Sequence, residues 1–318
     1  MENLPPSIPE MPKTPEKITF TVNKKLILPF VWTAGILVGF GVSRYAPDFA
    51  ALISRTPKSS TVSALQTEDF LAQTAPIAGV ALPVKWEDLG AQMLKSGVID
   101  EKKFRALYAQ RSGISPDMER LLTATDNGTI TITRENAPTL LNLLWALGLG
   151  NKNEILEKGP MMDKQYGGAG KFASTGGWTL AAGDVMNHYS RHPFITLTPQ
   201  QQELVARVAK NIYRPCCGNP THFPDCNHGM AMLGLLELMA AQGADEATMY
   251  RAALATNAYW FPDNYATIAK YLRTKNDSWA TANPKELLGY DYSSSAGYQN
   301  VLTQVEPEQN KGASGCGA

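Results

Sequence analysis

An uncharged stretch near the N-terminus, LILPFVWTAGILVGFGVS (26–43), limits how this chain can be arranged more than any other feature. A helix of that length rises about 1.5 Å per residue and spans about 27 Å, close to the thickness of the hydrocarbon core of a bilayer. Lys24 and Lys25 precede the stretch and Arg44 follows it, so charges mark both of its ends. We therefore predict a single transmembrane anchor at 26–43. A buried core helix and a signal peptide cleaved near 41–43 are the alternatives.

The segments on either side of this stretch predict its orientation. Residues 1–25 are rich in proline and polar side chains and are expected to form a disordered tail. Residues 44–80 contain many Ser, Thr and Pro residues and are expected to link the anchor to the body of the protein. A short tail, one span and a long C-terminal body is the usual layout of a signal anchor. We therefore expect a single-pass membrane protein whose body lies outside the cytoplasm, where its cysteines face an oxidising compartment.

The charge balance and the missing motifs argue against several classes of function. The chain has 29 basic and 29 acidic residues and no basic run, which argues against nucleic acid as a partner. Gly170-Lys171 is followed by Phe172 rather than by the hydroxyl residue of a phosphate loop, so no nucleotide is expected. The sequence contains no CxxCH motif for covalent haem. The sequence contains no complete catalytic signature, so it favours a protein without enzymatic activity.

Helical periodicity dominates the chain after the linker. Residues 81–158 contain apolar side chains at helical spacing, as in PTLLNLLWALGLG, and predict a small helical subdomain. Within it, the alternating sequence TITIT (129–133) predicts a short extended segment. Residues 159–305 predict a second helical domain, and 306–318 predict a flexible glycine-rich tail that carries Cys316. The expected fold class is mainly α: a transmembrane helix followed by an irregular multi-helix domain with a cysteine-rich loop.

Helix boundary signals place the cysteine-rich segment YRPCCGNPTHFPDCNHGM (213–230) between two helices. The sequence TPQQ (198–201) is a capping box with proline at the first helical position, and Pro215 is expected to end the helix that starts there. The next helix is expected to start at His228 or the glycine after it and to end at Gly243. The cysteine-rich segment is therefore predicted to form the tip of a helical hairpin.

This tip contains the donors of a soft-metal site. Cys216, Cys217, Cys226 and His228 supply three thiolates and an imidazole, which are the ligand types of zinc and copper sites. Their spacing differs from that of the common zinc motifs. Adjacent cysteines point in different directions in most backbones, so one of Cys216 and Cys217 is expected to bind a given ion. We predict a copper or zinc ion at these residues.

Further donors occur near this segment and at the C-terminus. His222, Met230 and Cys316 are candidate auxiliary ligands. His188 and His192 lie four residues apart and would share one face of a helix, where two imidazoles can bind the same metal ion. We therefore expect the histidines to gather around the cysteine-rich segment.

Disulfides are the alternative interpretation of the cysteines. Four cysteines outside the cytoplasm form an even set, and neighbouring cysteines rarely bond to each other. Cys216 and Cys217 would each bond to Cys226 or Cys316. A Cys217–Cys226 bridge would close a short loop and leave Cys316 to pair with Cys216. Such a protein would be a disulfide-stapled structural or interaction module that docks through an aromatic or glycine-rich surface.

The segment also resembles two kinds of known protein. It resembles the membrane-anchored hairpins of cytochrome c maturation thiol-oxidoreductases in the order of its elements. A helix is followed by Y-x-P-C-C, a short loop, Cys226 and a second helix, and then by Gly243 with acidic residues before a further helix. It is also similar to small extracytoplasmic cysteine-rich proteins suspected of copper handling. The resemblance covers residues 210–255. Thiol-oxidoreductases separate their two cysteines by two residues, a spacing that the adjacent pair here lacks. The resemblance therefore implies a hairpin with a sulfur-rich tip rather than a thiol-exchange activity.

These patterns predict a membrane-anchored, extracytoplasmic protein that binds copper or zinc. Metal handling or the assembly of a redox protein is the expected role. The expected partners are the membrane, through the N-terminal helix, and another membrane or extracytoplasmic protein.

Overall fold

The structure, a computed structural model, describes residues 69–111 and 113–305. The predicted tail 1–25, the predicted anchor 26–43, most of the predicted linker and the predicted tail from 306 lie outside this range. Within it, no helix combines the length and the apolar character needed to cross a membrane.

The described residues confirm a mainly α-helical fold. Irregular chain containing short 3₁₀ helices fills most of residues 159–198. The α-helices are α1 (Leu89–Ser96), α2 (Glu101–Ala109), α3 (Pro116–Thr123), α4 (Ala137–Gly150), α5 (Glu154–Lys158), α6 (Pro199–Ala209), α7 (Asn227–Ala241), α8 (Glu246–Trp260), α9 (Pro262–Thr274), α10 (Pro284–Leu287), α11 (Tyr290–Ser293) and α12 (Ser295–Val305).

Two short strands form a small antiparallel sheet. β1 (Val80–Lys85) pairs with β2 (Thr129–Ile132), with Val80 opposite Ile132 and Lys85 opposite Thr129. The extended segment predicted from TITIT is confirmed. Its partner strand starts at Val80, the last residue of the predicted linker, and continues into the segment predicted to be helical. Alternate residues of β2 are buried, because a strand presents successive side chains to opposite faces of the sheet.

Helix α6 begins where its capping box predicts. The Thr198 backbone N–H donates to Gln201 Oε1 at 2.8 Å, and the Gln201 N–H donates to Thr198 Oγ1 at 3.3 Å. These two bonds satisfy backbone donors that have no partner within the helix. Asp245 caps α8 in a similar way by accepting from the Thr248 N–H at 2.7 Å. The polar residues that flank the apolar runs therefore fix where these helices start.

Helices α4 and α7 form the centre of the hydrophobic core and cross at two glycines. A Cβ added at Gly148 would lie 2.0 Å from the Met230 carbonyl oxygen, and one added at Gly234 would lie 2.7 Å from the Leu144 carbonyl oxygen. Only glycine permits the two backbones to approach this closely. The resulting core includes buried residues from both predicted helical segments, for example Leu143, Leu147, Leu233, Leu235 and Leu236.

A fully buried carboxyl group lies on α7 within this core. Asn151 donates from Nδ2 to Glu237 Oε2 at 2.7 Å, while Glu237 Oε1 is buried without a hydrogen-bond partner. Burial raises the pKa of Glu237 well above its usual range, and hydrogen bonds from Asn151 and Asn153 oppose this shift only in part. The neutral form of the carboxyl group is therefore favoured in the folded protein.

We expect the free energy of unfolding of Glu237→Gln to increase relative to that of the wild type as pH rises. A carboxyl group whose pKa is higher in the folded than in the unfolded state stabilises the fold fully below the unfolded pKa, about 4.3 for Glu. That contribution is lost as pH rises through the folded pKa, whereas glutamine does not titrate. Urea denaturation of both proteins at pH 5 and pH 8 measures the change. A difference that stays constant with pH would refute this expectation.

Candidate metal centre

The cysteine-rich segment is a long loop between α6 and α7, as the sequence predicts. Helix α6 ends at Ala209, earlier than the predicted end near Pro215. Beyond the helix, the Ile212 carbonyl accepts hydrogen bonds from both the N–H and the Oγ1 of Thr221, at 2.8 and 3.0 Å. These bonds fold the loop back on itself between residues 212 and 221.

Residues distant in sequence also hold the loop in place. The Tyr213 N–H donates to the Leu288 carbonyl at 2.8 Å, and the Ser295 N–H donates to the Cys217 carbonyl at 3.0 Å. Asn257 on α8 donates from Nδ2 to the Tyr213 carbonyl at 3.0 Å. The C-terminal helices therefore fix the backbone that carries the adjacent cysteines.

Arg214 is the centre of the polar contacts inside the loop. Its side chain is only 1% exposed. Nη2 donates to Asp225 Oδ1 at 2.5 Å, Nη1 donates to the Asn219 carbonyl at 2.9 Å, and Nε donates to Cys226 Sγ at 3.1 Å. Asn219 also donates from Nδ2 to Asp225 Oδ2 at 2.8 Å. A buried guanidinium needs such partners, because an unpaired charge in the interior is strongly destabilising.

Cys216, Cys226 and His228 form one group of possible metal ligands. Their donor atoms all lie within 4.8 Å of one another. Cys216 Sγ and Cys226 Sγ are 3.8 Å apart. A metal–sulfur bond of about 2.3 Å and a tetrahedral angle separate two sulfur ligands of one ion by about 3.8 Å. The two sulfurs are therefore spaced as two ligands of a single ion.

Cys217, Asp225 and Cys226 form a second group, whose donor atoms also lie within 4.8 Å of one another. Both carboxylate oxygens of Asp225 already accept hydrogen bonds, one from Arg214 and one from Asn219. A cation bound to Asp225 would have to displace at least one of these hydrogen bonds. The first group is therefore the better metal site. The adjacent Cys216 and Cys217 fall into different groups, with Cys226 common to both.

The electrostatic surroundings favour a thiolate at Cys226. Hydrogen bonds from the Cys216 and Cys217 thiols, together with His228 and the charge of Arg214, hold the pKa of Cys226 well below its usual range, although burial opposes the shift. Hydrogen bonding to its cysteine neighbours and burial raise the pKa of Cys216. The pKa of Cys217 is raised to about 11, because the hydrogen bond with Cys226 and burial outweigh the effects of Cys216 and Arg214. A metal ion would displace the Cys216 proton and bind the Cys226 sulfur, whose ionised form these contacts favour.

Aromatic side chains surround the imidazole of the first group. His228 lies in the first turn of α7, with its ring centroid 4.4 Å from that of Phe261 and 5.6 Å from that of Trp260. These rings restrict the orientation of the imidazole. Phe261 precedes Pro262, the first residue of α9, so the junction between α8 and α9 positions the His228 imidazole.

The other predicted donors have different surroundings. His222 lines a surface cavity of about 890 Å³ together with Lys152 and Glu157 and belongs to neither group. Met230 is fully buried in the hydrophobic core. Cys316 lies outside the described residues, so its role as an auxiliary ligand stays a prediction.

His188 and His192 meet away from this loop. His188 Nδ1 lies 3.1 Å from His192 Nε2, and His188 Nε2 lies 2.9 Å from the Ala182 carbonyl oxygen. The pair does not share a helix, because a single 3₁₀ turn ends before His188 and Ser190 has a positive φ of 53°. The expected pairing of the two rings occurs, but not through helical spacing. Among the described residues, neither ring belongs to a group of three metal donors.

No disulfide occurs among the described cysteines. Cys216, Cys217 and Cys226 are free thiols in the structure, each partly exposed. The Cys217–Cys226 bridge of the alternative interpretation is therefore not formed here, and a bridge to Cys316 involves a residue outside the described range.

Sequence reasoning did not identify Arg214, Asn219, Asp225 or Gly229 as parts of this site. The sequence signal available for them was the presence of one basic residue, Arg214, and one acidic residue, Asp225, within the cysteine-rich segment. A Cβ added at Gly229 would lie 2.6 Å from both Cζ and Nη2 of Arg214. The glycine therefore leaves room for the buried guanidinium.

We expect Gly229→Ala to destabilise the protein by about 1–3 kcal/mol, the range for overpacking. The added methyl group would push the guanidinium away from Asp225 and Cys226. Gly218→Ala in the same loop is the matched control, because a Cβ there meets nothing within 4 Å; its effect should stay within about 0.5 kcal/mol. Urea denaturation measures both variants. Equal stabilities would show that Gly229 is not needed to accommodate Arg214.

Comparison of the chain with protein-family models, with curated proteins and with solved structures gives no match. The function must therefore be inferred from the chemistry of the site.

Proposed function

We propose that this protein binds one soft metal ion, copper(I) in preference to zinc, through Cys216, Cys226 and His228. The observation that carries the proposal is the convergence of two sulfurs and one imidazole within 4.8 Å, with the sulfurs 3.8 Å apart. Thiolates are the ligands that soft ions such as copper(I) and zinc prefer. Asp225 and Arg214 flank the site and balance each other's charge.

The number of donors favours copper over zinc. Structural zinc sites are almost always four-coordinate. The better group supplies three donors, and the guanidinium of Arg214 opposes recruitment of Asp225 as a fourth. Zinc would therefore need Cys217 or a donor from outside the described residues, such as Cys316. A three-donor, sulfur-rich set suits copper(I) without a further ligand.

We further propose that this protein is anchored in a membrane and that its metal site lies outside the cytoplasm. The uncharged stretch 26–43 with charged flanks supports the anchor. The proposed role is metal handling or the assembly of a redox protein together with another membrane or extracytoplasmic protein, and the resemblance of residues 210–255 to sulfur-tipped hairpins supports this role. We propose no catalytic activity.

Metal titration of the full chain tests the proposal. The purified, reduced protein should bind one copper(I) ion per chain and retain it against a competing chelator. Zinc should bind more weakly relative to the same reference ligands. Failure to retain any copper(I) or zinc would contradict the proposed function.

A further inference from the structure

We propose that Cys216 and Cys226 form a reversible disulfide when the protein meets a peroxide, and that this reaction releases the bound metal ion. The release step rests on the proposed function, whereas the pairing of the two cysteines does not. The same two sulfurs that would hold the ion are also placed to react with each other. Oxidation would therefore control metal binding.

Geometry selects this pair from the three cysteines of the loop. Cys216 Sγ and Cys226 Sγ are 3.8 Å apart. A disulfide bond is about 2.05 Å long, so the sulfurs need to approach by about 1.8 Å for the bond to form. Cys217 Sγ also lies within 4.8 Å of Cys226 Sγ, but it is held by the Asn219 carbonyl and Asp225 Oδ1, at 3.8 and 3.9 Å.

The surroundings of Cys226 make it the attacking sulfur. Arg214 donates from Nε to Cys226 Sγ at 3.1 Å, and this positive group stabilises negative charge on the sulfur. Part of the Cys226 residue is exposed to solvent. Cys216 has no comparable contact with the guanidinium among the described hydrogen bonds of Arg214. It therefore serves as the resolving thiol.

The reaction balances with one peroxide for each disulfide. The Cys226 thiolate attacks one oxygen of hydrogen peroxide, the O–O bond breaks, and Cys226 sulfenic acid and hydroxide form. The Cys216 thiol then attacks the sulfenic sulfur, the S–S bond forms, and the sulfenic oxygen leaves as water. The hydroxide from the first step takes up a proton from solvent, which replaces the proton that Cys226 lost on ionisation. The two thiols lose two electrons, and the peroxide is reduced to two molecules of water.

Disulfide formation removes two of the three proposed ligands at once. His228 would remain as the single donor of the group. Mutation of one residue that supports a metal ligand typically lowers metal affinity by about 10- to 100-fold. Loss of two direct ligands should therefore lower the affinity by more than about 100-fold. A thiol reductant would restore both sulfurs and the affinity.

Peroxide treatment of the metal-free full chain tests the pairing. After alkylation of the remaining thiols, cleavage before aspartate separates Cys226 from the peptide that carries Cys216 and Cys217, because Asp225 lies between them. We expect the two peptides to be joined in the wild type and in Cys217→Ser, and to be separate in Cys216→Ser. A bridge that persists in Cys216→Ser, or one that is lost in Cys217→Ser, would overturn the pairing.

Metal release is measured separately on the copper(I)-loaded full chain. Peroxide should release the ion from the wild type and from Cys217→Ser, and reduction should restore binding. Retention of copper by protein whose Cys216–Cys226 bridge has formed would overturn the release step. A chain that forms the bridge but never binds a metal would contradict the proposed function while leaving the pairing intact.

Discussion

Replacement of Cys226 by serine is expected to abolish tight binding of copper(I). Cys226 is the sulfur shared by both groups of donors, so neither group keeps three ligands without it. The loss of affinity should exceed about 100-fold, because removal of a direct ligand exceeds the cost of losing an outer partner. Chelator competition with the full chain measures this affinity.

Cys217→Ser is the matched control for this prediction. It removes a neighbouring thiol from the same loop but leaves the group formed by Cys216, Cys226 and His228 intact. Its affinity for copper(I) should stay within the same order of magnitude as that of the wild type. Circular dichroism of both variants checks folding, because Cys226→Ser also removes the sulfur partner of the buried Arg214. Equal losses in folded Cys217→Ser and Cys226→Ser would contradict the assignment of the ligands.

Gly148→Ala is expected to destabilise the fold by about 3 kcal/mol or more, the upper end of the range for overpacking. The added Cβ would lie 2.0 Å from the Met230 carbonyl oxygen, so α4 and α7 would have to separate. Alanine is the better helix former by about 1 kcal/mol, and the steric cost outweighs this gain. Separation of the helices would also move α7, whose first turn carries His228.

Gly128→Ala is a suitable reference for this variant. A Cβ at Gly128 meets nothing within 4 Å, so its effect should lie within about 0.5 kcal/mol. The midpoint and slope of urea denaturation report both variants. If Gly148→Ala were as stable as Gly128→Ala, close approach at Gly148 would not be a requirement of the fold.

Local sequence signals predicted those parts of the fold that depend on neighbouring residues. The capping box at Thr198 and Gln201 starts α6 because its hydrogen bonds connect residues three apart. The alternating apolar residues of β2 likewise identify a strand. The partner of this strand could not be predicted, because β1 lies far away in the sequence and falls mostly in a segment predicted to be helical.

The site was predictable as a set of residues but not as an arrangement. The spacing of Cys216, Cys217 and Cys226 cannot show which two sulfurs meet, because contacts with Leu288 and Ser295 determine the loop backbone. Arginine is rarely buried completely, so composition gave no reason to place Arg214 among the thiols. The requirement for glycine at Gly229 follows only from that placement.

X-ray absorption at the copper edge of the full chain, loaded with one equivalent of copper(I), tests the central proposal most directly. We predict an inner shell of two sulfur atoms and one imidazole nitrogen, unchanged in Cys217→Ser. Loss of the imidazole contribution in His228→Ala should follow. A shell of three sulfurs without imidazole, or one made of nitrogen and oxygen alone, would contradict binding by Cys216, Cys226 and His228.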